Sequence, residues 1–103
     1  MKRLRCGQVW QLADEQGPLG AVLVLSGNAY NELPGPTVLI VRLLDAEQAD
    51  PASITVRLGD DHAAVLDWVT YAHKGLFGEL LYEVEEQKLS DVRNMLFRLL
   101  ATS

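Results

Sequence analysis

The run Glu15-Gln16-Gly17-Pro18-Leu19-Gly20-Ala21-Val22-Leu23-Val24-Leu25-Ser26 decides the fold of this chain. From Ala21 to Leu25 it is apolar without a break, which suits a strand buried on both faces near the middle of a sheet. Asp14 to Pro18 turns the chain ahead of that strand, and Ser26-Gly27-Asn28 stops it. A strand covered on both faces needs strand neighbours in its own plane and apolar layers above and below.

Working outward, Gly7 to Ala13 alternates, with Val9 and Leu12 offset by Gln8 and Gln11 and with Trp10 between them, and reads as a short strand facing a core. Ser26 or Asn28 is a candidate cap for one helical turn over Ala29 to Leu33, which Pro34-Gly35-Pro36 ends. A third strand runs from Thr37 to Leu44. Asp45 to Ser53 is polar and Ala-rich and reads as a loop with room for a helical turn. Ile54 to Leu58 alternates again, and Gly59-Asp60-Asp61-His62 is turn chemistry. Ala63 to Leu66 and Trp68 to His73 form one bent strand or two. From Gly78 the periodicity becomes helical: Val84, Leu89, Val92, Leu96, Leu99 and Leu100 recur near three- and four-residue spacing. We expect one C-terminal helix beginning in the eighties, with Ser90-Asp91 either capping a break in it or lying on its outer face. The fold class is α+β: a small β-barrel of five to seven strands with a C-terminal α-helix, all in a single domain over 1–103.

Composition narrows the function. Formal net charge is −5, and eleven of the fourteen acids lie after Leu43 against five basic residues. A nucleic-acid binder usually carries a basic stripe, because neutralising phosphates supplies most of its affinity, so charge gives RNA binding little support. Cys6 is the only cysteine, which leaves no intramolecular disulfide and makes a metal site an unfavoured reading. No cofactor is expected. No apolar run approaches the roughly 18 residues that suggest a membrane span. Lys2, Arg3 and Arg5 lead into polar alternation rather than the apolar stretch of a secretory signal, and the expected location is cytoplasmic.

Four segments carry a resemblance. Gly7-Gln8-Val9-Trp10 is similar to a Gly-Asp-Val/Ile-Trp opening strand. Glu15 to Ser26 is similar to Glu-Gln-Gly-Gly, then Arg-Pro, then an apolar strand ending in Ser. Thr37 to Asp45 looks like a strand that ends Ala-Pro-Ile/Leu-Thr-Ser, and Asp67 to Lys74 looks like Glu/Asp-Gln-Ile/Val-Arg-Thr-Ile/Val-Asp-Lys, with Leu76 and Gly78 following. Together they resemble the MazF/PemK-like toxins of type II toxin–antitoxin systems, whose members are endoribonucleases. The resemblance implies an SH3-like barrel of the CcdB/PemK type, a homodimer and an antitoxin peptide bound along its groove. In such a dimer the apolar strand face or the C-terminal helix is expected to supply the interface. The first loop is shorter here than the loop the family closes over RNA.

The two positions that carry the family's chemistry differ. The resemblance puts the family's catalytic Arg at Gly20 and its Thr at Leu44, and neither residue can move a proton or stabilise phosphorane charge. We therefore read a catalytically degenerate toxin-family protein that acts by binding a protein target or an antitoxin. One alternative is an endoribonuclease that cleaves single-stranded mRNA with relocated residues. Arg42, two residues before Leu44 and so on the same face of its strand, is the candidate cation. Another alternative is a non-toxin interaction domain on the same barrel. CcdB, which has this fold, poisons DNA gyrase by protein contact and lends the binding reading its precedent. Candidate RNA- or partner-binding residues are Gln16, Arg42, Trp68, Thr70, His73 and Lys74. Trp10, Trp68 and Tyr71 could stack bases, although core packing is expected for two of the three. His62 reads as part of a polar hairpin tip, and the Glu79, Glu83, Glu85 and Glu86 group as the solvated helix start. Cys6 beside Arg5 is assigned no role.

Overall fold

A computed structural model describes residues 3–48, 54–59 and 61–101. Its elements are β1 (Gln8–Asp14), β2 (Gly17–Val24), α1 (Asn28–Asn31), β3 (Thr37–Asp45), β4 (Thr55–Arg57), β5 (His62–His73), β6 (Phe77–Glu83) and α2 (Glu86–Ala101), with short 3-10 turns at Ala46–Gln48 and Lys74–Leu76. The strands form one antiparallel sheet in the order β4-β5-β3-β2-β1-β6. The segment around Pro51, read as the end of a loop, lies outside the described residues.

β2 and β3 occupy the centre of the sheet, as the unbroken apolar run predicts. Alternation sends Val22, Val24, Val38 and Ile40 to one face, where they join Leu4, Trp10, Leu12, Ala72 and Phe77. It sends Leu23 and Val41 to the other face, where Val9, Leu43, Leu58, Ala64 and Leu66 meet Val92 of α2, and Met95, Leu96 and Leu99 pack beside them. On the first face the Trp10 ring stands edge-on to Phe77, at 5.9 Å between centroids and 82° between planes. The Trp10 indole N–H donates to Gln8 Oε1 at 2.9 Å, and the same oxygen accepts from Arg5 N at 2.8 Å, so a buried Gln anchors the start of β1.

Three expectations are corrected. Helical periodicity does not begin at Gly78: Phe77–Glu83 is a strand, because β1 has a second edge to satisfy and pairs with it from Gln8↔Glu83 to Leu12↔Phe77. Glu79 and Glu83 therefore lie on β6, and only Glu86 of that acidic group falls in the first turn of α2. Neither Ser26 nor Asn28 caps α1, whose N-cap is Gly27 without a side-chain bond. Both are committed elsewhere. Asn28 Oδ1 accepts from Cys6 N at 2.8 Å, while buried Ser26 donates to Asn31 Oδ1 and accepts from Leu39 N at 3.2 Å. Asn31 Nδ2 completes this buried network by donating to Leu4 O and Ser26 O, at 3.2 and 3.0 Å.

The barrel is not closed by backbone pairing, since β4 and β6 are the two edges of the sheet. A side-chain clasp from β5 to β6 spans the gap instead. His62, at the start of β5, stacks on Tyr82 of β6 with centroids 5.7 Å apart and 19° between planes, and its Nδ1 lies 2.7 Å from the Tyr82 hydroxyl. His62 is thus a packing residue rather than a solvated hairpin tip. Among the described residues, no helix is long and apolar enough to cross a membrane.

Two measurements check this packing. Phe77 is 1% exposed and Phe97 is 71% exposed. Phe77→Ala should therefore lower the unfolding free energy by roughly 3–5 kcal/mol, whereas Phe97→Ala should change it by no more than about 0.5 kcal/mol, both read by urea denaturation. Burial, with Asp61 adding to it, raises the Tyr82 pKa above its ordinary value of 10.0. The folded state then holds this proton more tightly than the unfolded state does. The associated stability is full below about pH 10 and is lost as pH rises toward the folded-state value. Denaturation midpoints should fall more steeply above that pH in the wild type than in Tyr82→Phe.

Candidate functional site

Two of the irregularities in the sheet flank one residue. In β2, Leu12 of β1 pairs with Gly20 and Ala13 pairs with Pro18, so Leu19 is an extra residue with no partner on β1. Gly20 takes φ +114, a left-handed value that a side chain would strain, and so permits this bulge. In β5, Val69 pairs with Val41 and Ala64 with Leu43, which leaves Val65 to Trp68 opposite Arg42 alone. Arg42 is paired with Val22 on its β2 side and lacks a ladder partner on its β5 side.

The chain bows away on both sides of Arg42 and leaves an open cleft of about 540 Å³. Arg42, Leu43 and Leu44 form its floor, Leu19 and Gly20 one wall, and Trp68, Val69 and Thr70 the other. The carbonyl freed at the β2 bulge orients the cation: Arg42 Nη2 donates to Leu19 O at 2.9 Å. Arg42 meets no carboxylate within ion-pair distance among the described residues. A Cβ built on Gly20 would lie 3.8 Å from Arg42 Nη2, so the guanidinium sits where a side chain at position 20 would begin.

Five of the singled-out positions come together here: Gly20, Arg42, Leu44, Trp68 and Thr70. Three do not. Gln16 is exposed on the β1–β2 turn, where its backbone N–H donates to Asp14 Oδ1 at 2.8 Å. Lys74 Nζ donates to Asn31 O at 3.0 Å and to Leu33 O at 2.7 Å, which holds the C-terminal end of α1 against the sheet. His73 accepts from Gly75 N through Nδ1 at 3.0 Å and caps the short turn after β5. The core assignment of two of the three ring residues is also corrected. Only Trp10 is buried, while Trp68 is 46% and Tyr71 65% exposed. Sequence reading missed Leu19, whose contribution is a backbone carbonyl; the Pro18–Gly20 spacing was the available signal for a bulge.

The cleft's chemistry is limited. Among the described residues it offers one guanidinium, one hydroxyl, one indole and several aliphatic walls, and none of the His, Asp or Glu among them lines it. Such a surface can hold an anionic group and stack or pack an apolar one. It supplies no side chain able to accept a proton near neutral pH. Among the described residues, no group of three His, Cys, Asp or Glu could hold a metal ion.

No protein-family model and no curated protein matches the sequence. Solved structures do match the fold. A chain of the MazE–MazF complex from Deinococcus radiodurans (Form-II) is 26% identical, with all of both chains covered and a TM-score of 0.75. An endoribonuclease from Mycobacterial species is 23% identical over 97% of this chain and 93% of that one, with a TM-score of 0.77. An endoribonuclease in complex with its cognate antitoxin from Mycobacterial species is 22% identical over 100% and 98%, with a TM-score of 0.75.

The bulge at Gly20 can be tested directly. Gly20→Ala should cost roughly 1–2 kcal/mol, because the left-handed conformation is strained for any L side chain. Gly27, with an ordinary φ of −65 and open space at its Cβ, should accept Ala with little change in thermal midpoint.

Proposed function

Starting from a MazF-type fold, we propose that this protein is a toxin-family member of a type II toxin–antitoxin system that acts by binding rather than by cutting RNA. The observation that carries this reading is the composition of the cleft: Gly20 and Leu44 occupy the positions to which the resemblance assigns the catalytic Arg and Thr, and no proton acceptor among the described residues lines the space between them. Transesterification of RNA needs a group to take the 2′-hydroxyl proton and donors where charge develops, and losing even one such donor typically costs on the order of 10² to 10³ in rate. What remains is a recognition surface. Arg42 pairs with a carboxylate or phosphate, Trp68 and the Leu walls take an apolar or planar group, and Thr70 adds a hydrogen bond.

An antitoxin segment is the favoured ligand, because an acidic side chain beside an aliphatic or aromatic one matches that surface and because two of the structural relatives are antitoxin complexes. The protein acts in the cytoplasm as a homodimer built from one domain. A second reading, a nuclease with a relocated cation, rests on one specific feature: the Arg42 guanidinium lies 3.8 Å from the site of a Cβ on Gly20.

The deciding experiment incubates antitoxin-free protein with a long RNA containing paired and unpaired regions, beside Arg42→Ala, and maps any new ends. The binding reading expects intact RNA across a wide protein excess. It also expects Arg42→Ala to weaken capture of an acidic antitoxin peptide by roughly 10- to 150-fold, the value of one charged hydrogen bond. Specific cuts that disappear in Arg42→Ala would establish the relocated nuclease instead.

A further inference from the structure

A second opening lies at the other end of β3 from Arg42. Thr37 starts that strand opposite His73, the last residue of β5, and Arg42 follows roughly 16–17 Å further along it. Lys74 N, bonded to Pro36 O at 2.8 Å, marks this end of the sheet. Here the N-terminal segment at Arg3 and Leu4, the loop that follows α1, and the turn after β5 surround an open cavity of about 900 Å³. It shares no lining residue with the Arg42 cleft, and its size falls in the range that takes small molecules.

Lys74, singled out from the sequence as a binding residue and absent from the Arg42 cleft, supplies the first charge of this cavity. Its half-buried ammonium donates to Asn31 O at 3.0 Å and to Leu33 O at 2.7 Å, and an ammonium has three N–H groups, so one donor is left over. Neither carbonyl neutralises the charge. Arg3, exposed on the N-terminal segment, brings a second charge and a planar fork of donors that fits a carboxylate or a phosphate. Among the described residues neither cation has a carboxylate within ion-pair distance, Glu32 of the same lining included. Two cations against one acid leave this cavity positive in a chain whose net charge is −5. Asn31 adds no polar contact, because Ser26 and Leu4 already occupy its amide.

The rest of the lining is largely aliphatic. Leu4 is 7% exposed, whereas Leu33 is 55% exposed. Lys74 pins the Leu33 carbonyl and Pro34 fixes the backbone angle that follows, so an apolar side chain is held at the rim instead of folding away. A rim held before binding lowers the ordering cost of a ligand. We propose that this cavity is a second binding site, for a small amphiphilic anion whose carboxylate or phosphate lies between Arg3 and Lys74 and whose aliphatic chain covers Leu4, Leu33 and Pro34. The Lys74 ammonium has two roles in it: the bonds that hold the end of α1 also fix the cation that meets the ligand. The site is independent of the role proposed for the Arg42 cleft.

Titration of the isotope-labelled full chain with octanoate and with octyl phosphate, followed by amide NMR, tests the proposal and separates the two head groups. At least one of these acids should bind with a Kd of about 10 mM or tighter. The amide signals of Leu4, Leu33 and Gly75 should shift, while those of Leu43 and Thr70 stay in place. Arg3→Ala should weaken binding by about tenfold or more, and Leu33→Ser by roughly 3- to 10-fold. Glu32→Gln should strengthen it by about two- to fivefold. All three positions are exposed, so these variants leave the Lys74 bonds to α1 intact. No saturable shift with either acid, or shifts confined to Leu43 and Thr70, would overturn the proposal. So would binding that Arg3→Ala leaves unchanged, or octanol binding as tightly as the two acids.

Discussion

Double-sided burial of β2 and β3 is the constraint on which the rest of the structure depends. Val22, Leu23, Val24, Val38, Ile40 and Val41 are almost wholly removed from water, on alternating faces. Each contributes roughly 1.5–3 kcal/mol of transfer free energy, which is large beside the 5–15 kcal/mol that separates a folded domain from its unfolded chain. A strand apolar on both faces has weak register specification by itself, since a one-residue slip exchanges one buried Val for another. Arg42 removes that ambiguity. It is the one charged residue between Val38 and Leu44, and a slip would drive its guanidinium into the core beneath α2, at several kcal/mol for an unpaired buried charge.

The cleft grows out of the same rigidity. With the centre of the sheet fixed, extra residues in β2 and β5 cannot be absorbed by sliding, and both strands bow outward beside Arg42. The bow in β2 frees the Leu19 carbonyl that holds the guanidinium, and the bow in β5 lifts Trp68 to the surface. A cation built this way is presented by β3 and oriented by backbone, with no ion-paired acid among the described residues. Such a cation is placed to meet an anion.

Much of this was legible in the sequence, where the signal was continuous. The run from Ala21 to Leu25 located the central strand, and the count of strands and the terminal helix followed from alternation and then from spacing between Leu89 and Leu99. Arg42 and Leu44 were correctly placed on one face, because strand periodicity is short-range and robust. The failures share a cause. Leu80 and Leu81 of Phe77–Glu83, with Val84 just beyond it, fall at spacings that also suit a helix, and only the unfilled edge of β1 makes the segment a strand. Ser26 and Asn28 look like caps locally, yet their side-chain oxygens accept from Leu39 and Cys6, which lie 13 and 22 residues away along the chain. Trp68 looks like core until Val65 to Trp68 is known to face a single residue of β3. Such facts concern pairing between distant segments, and no local pattern encodes them.

The pairing of β1 with β6 has a consequence for synthesis of the chain. Gln8 meets Glu83, so one edge of β1 waits for β6, the last of the six described strands to be made. During translation β1, β2 and β3 can hairpin together as they emerge, but β1 keeps a row of unsatisfied backbone groups until Phe77–Glu83 follows. The His62–Tyr82 clasp and the α2 cover arrive with or after that strand. The nascent chain therefore passes through a stage in which the sheet is open at β1, and it is completed only when β6 follows.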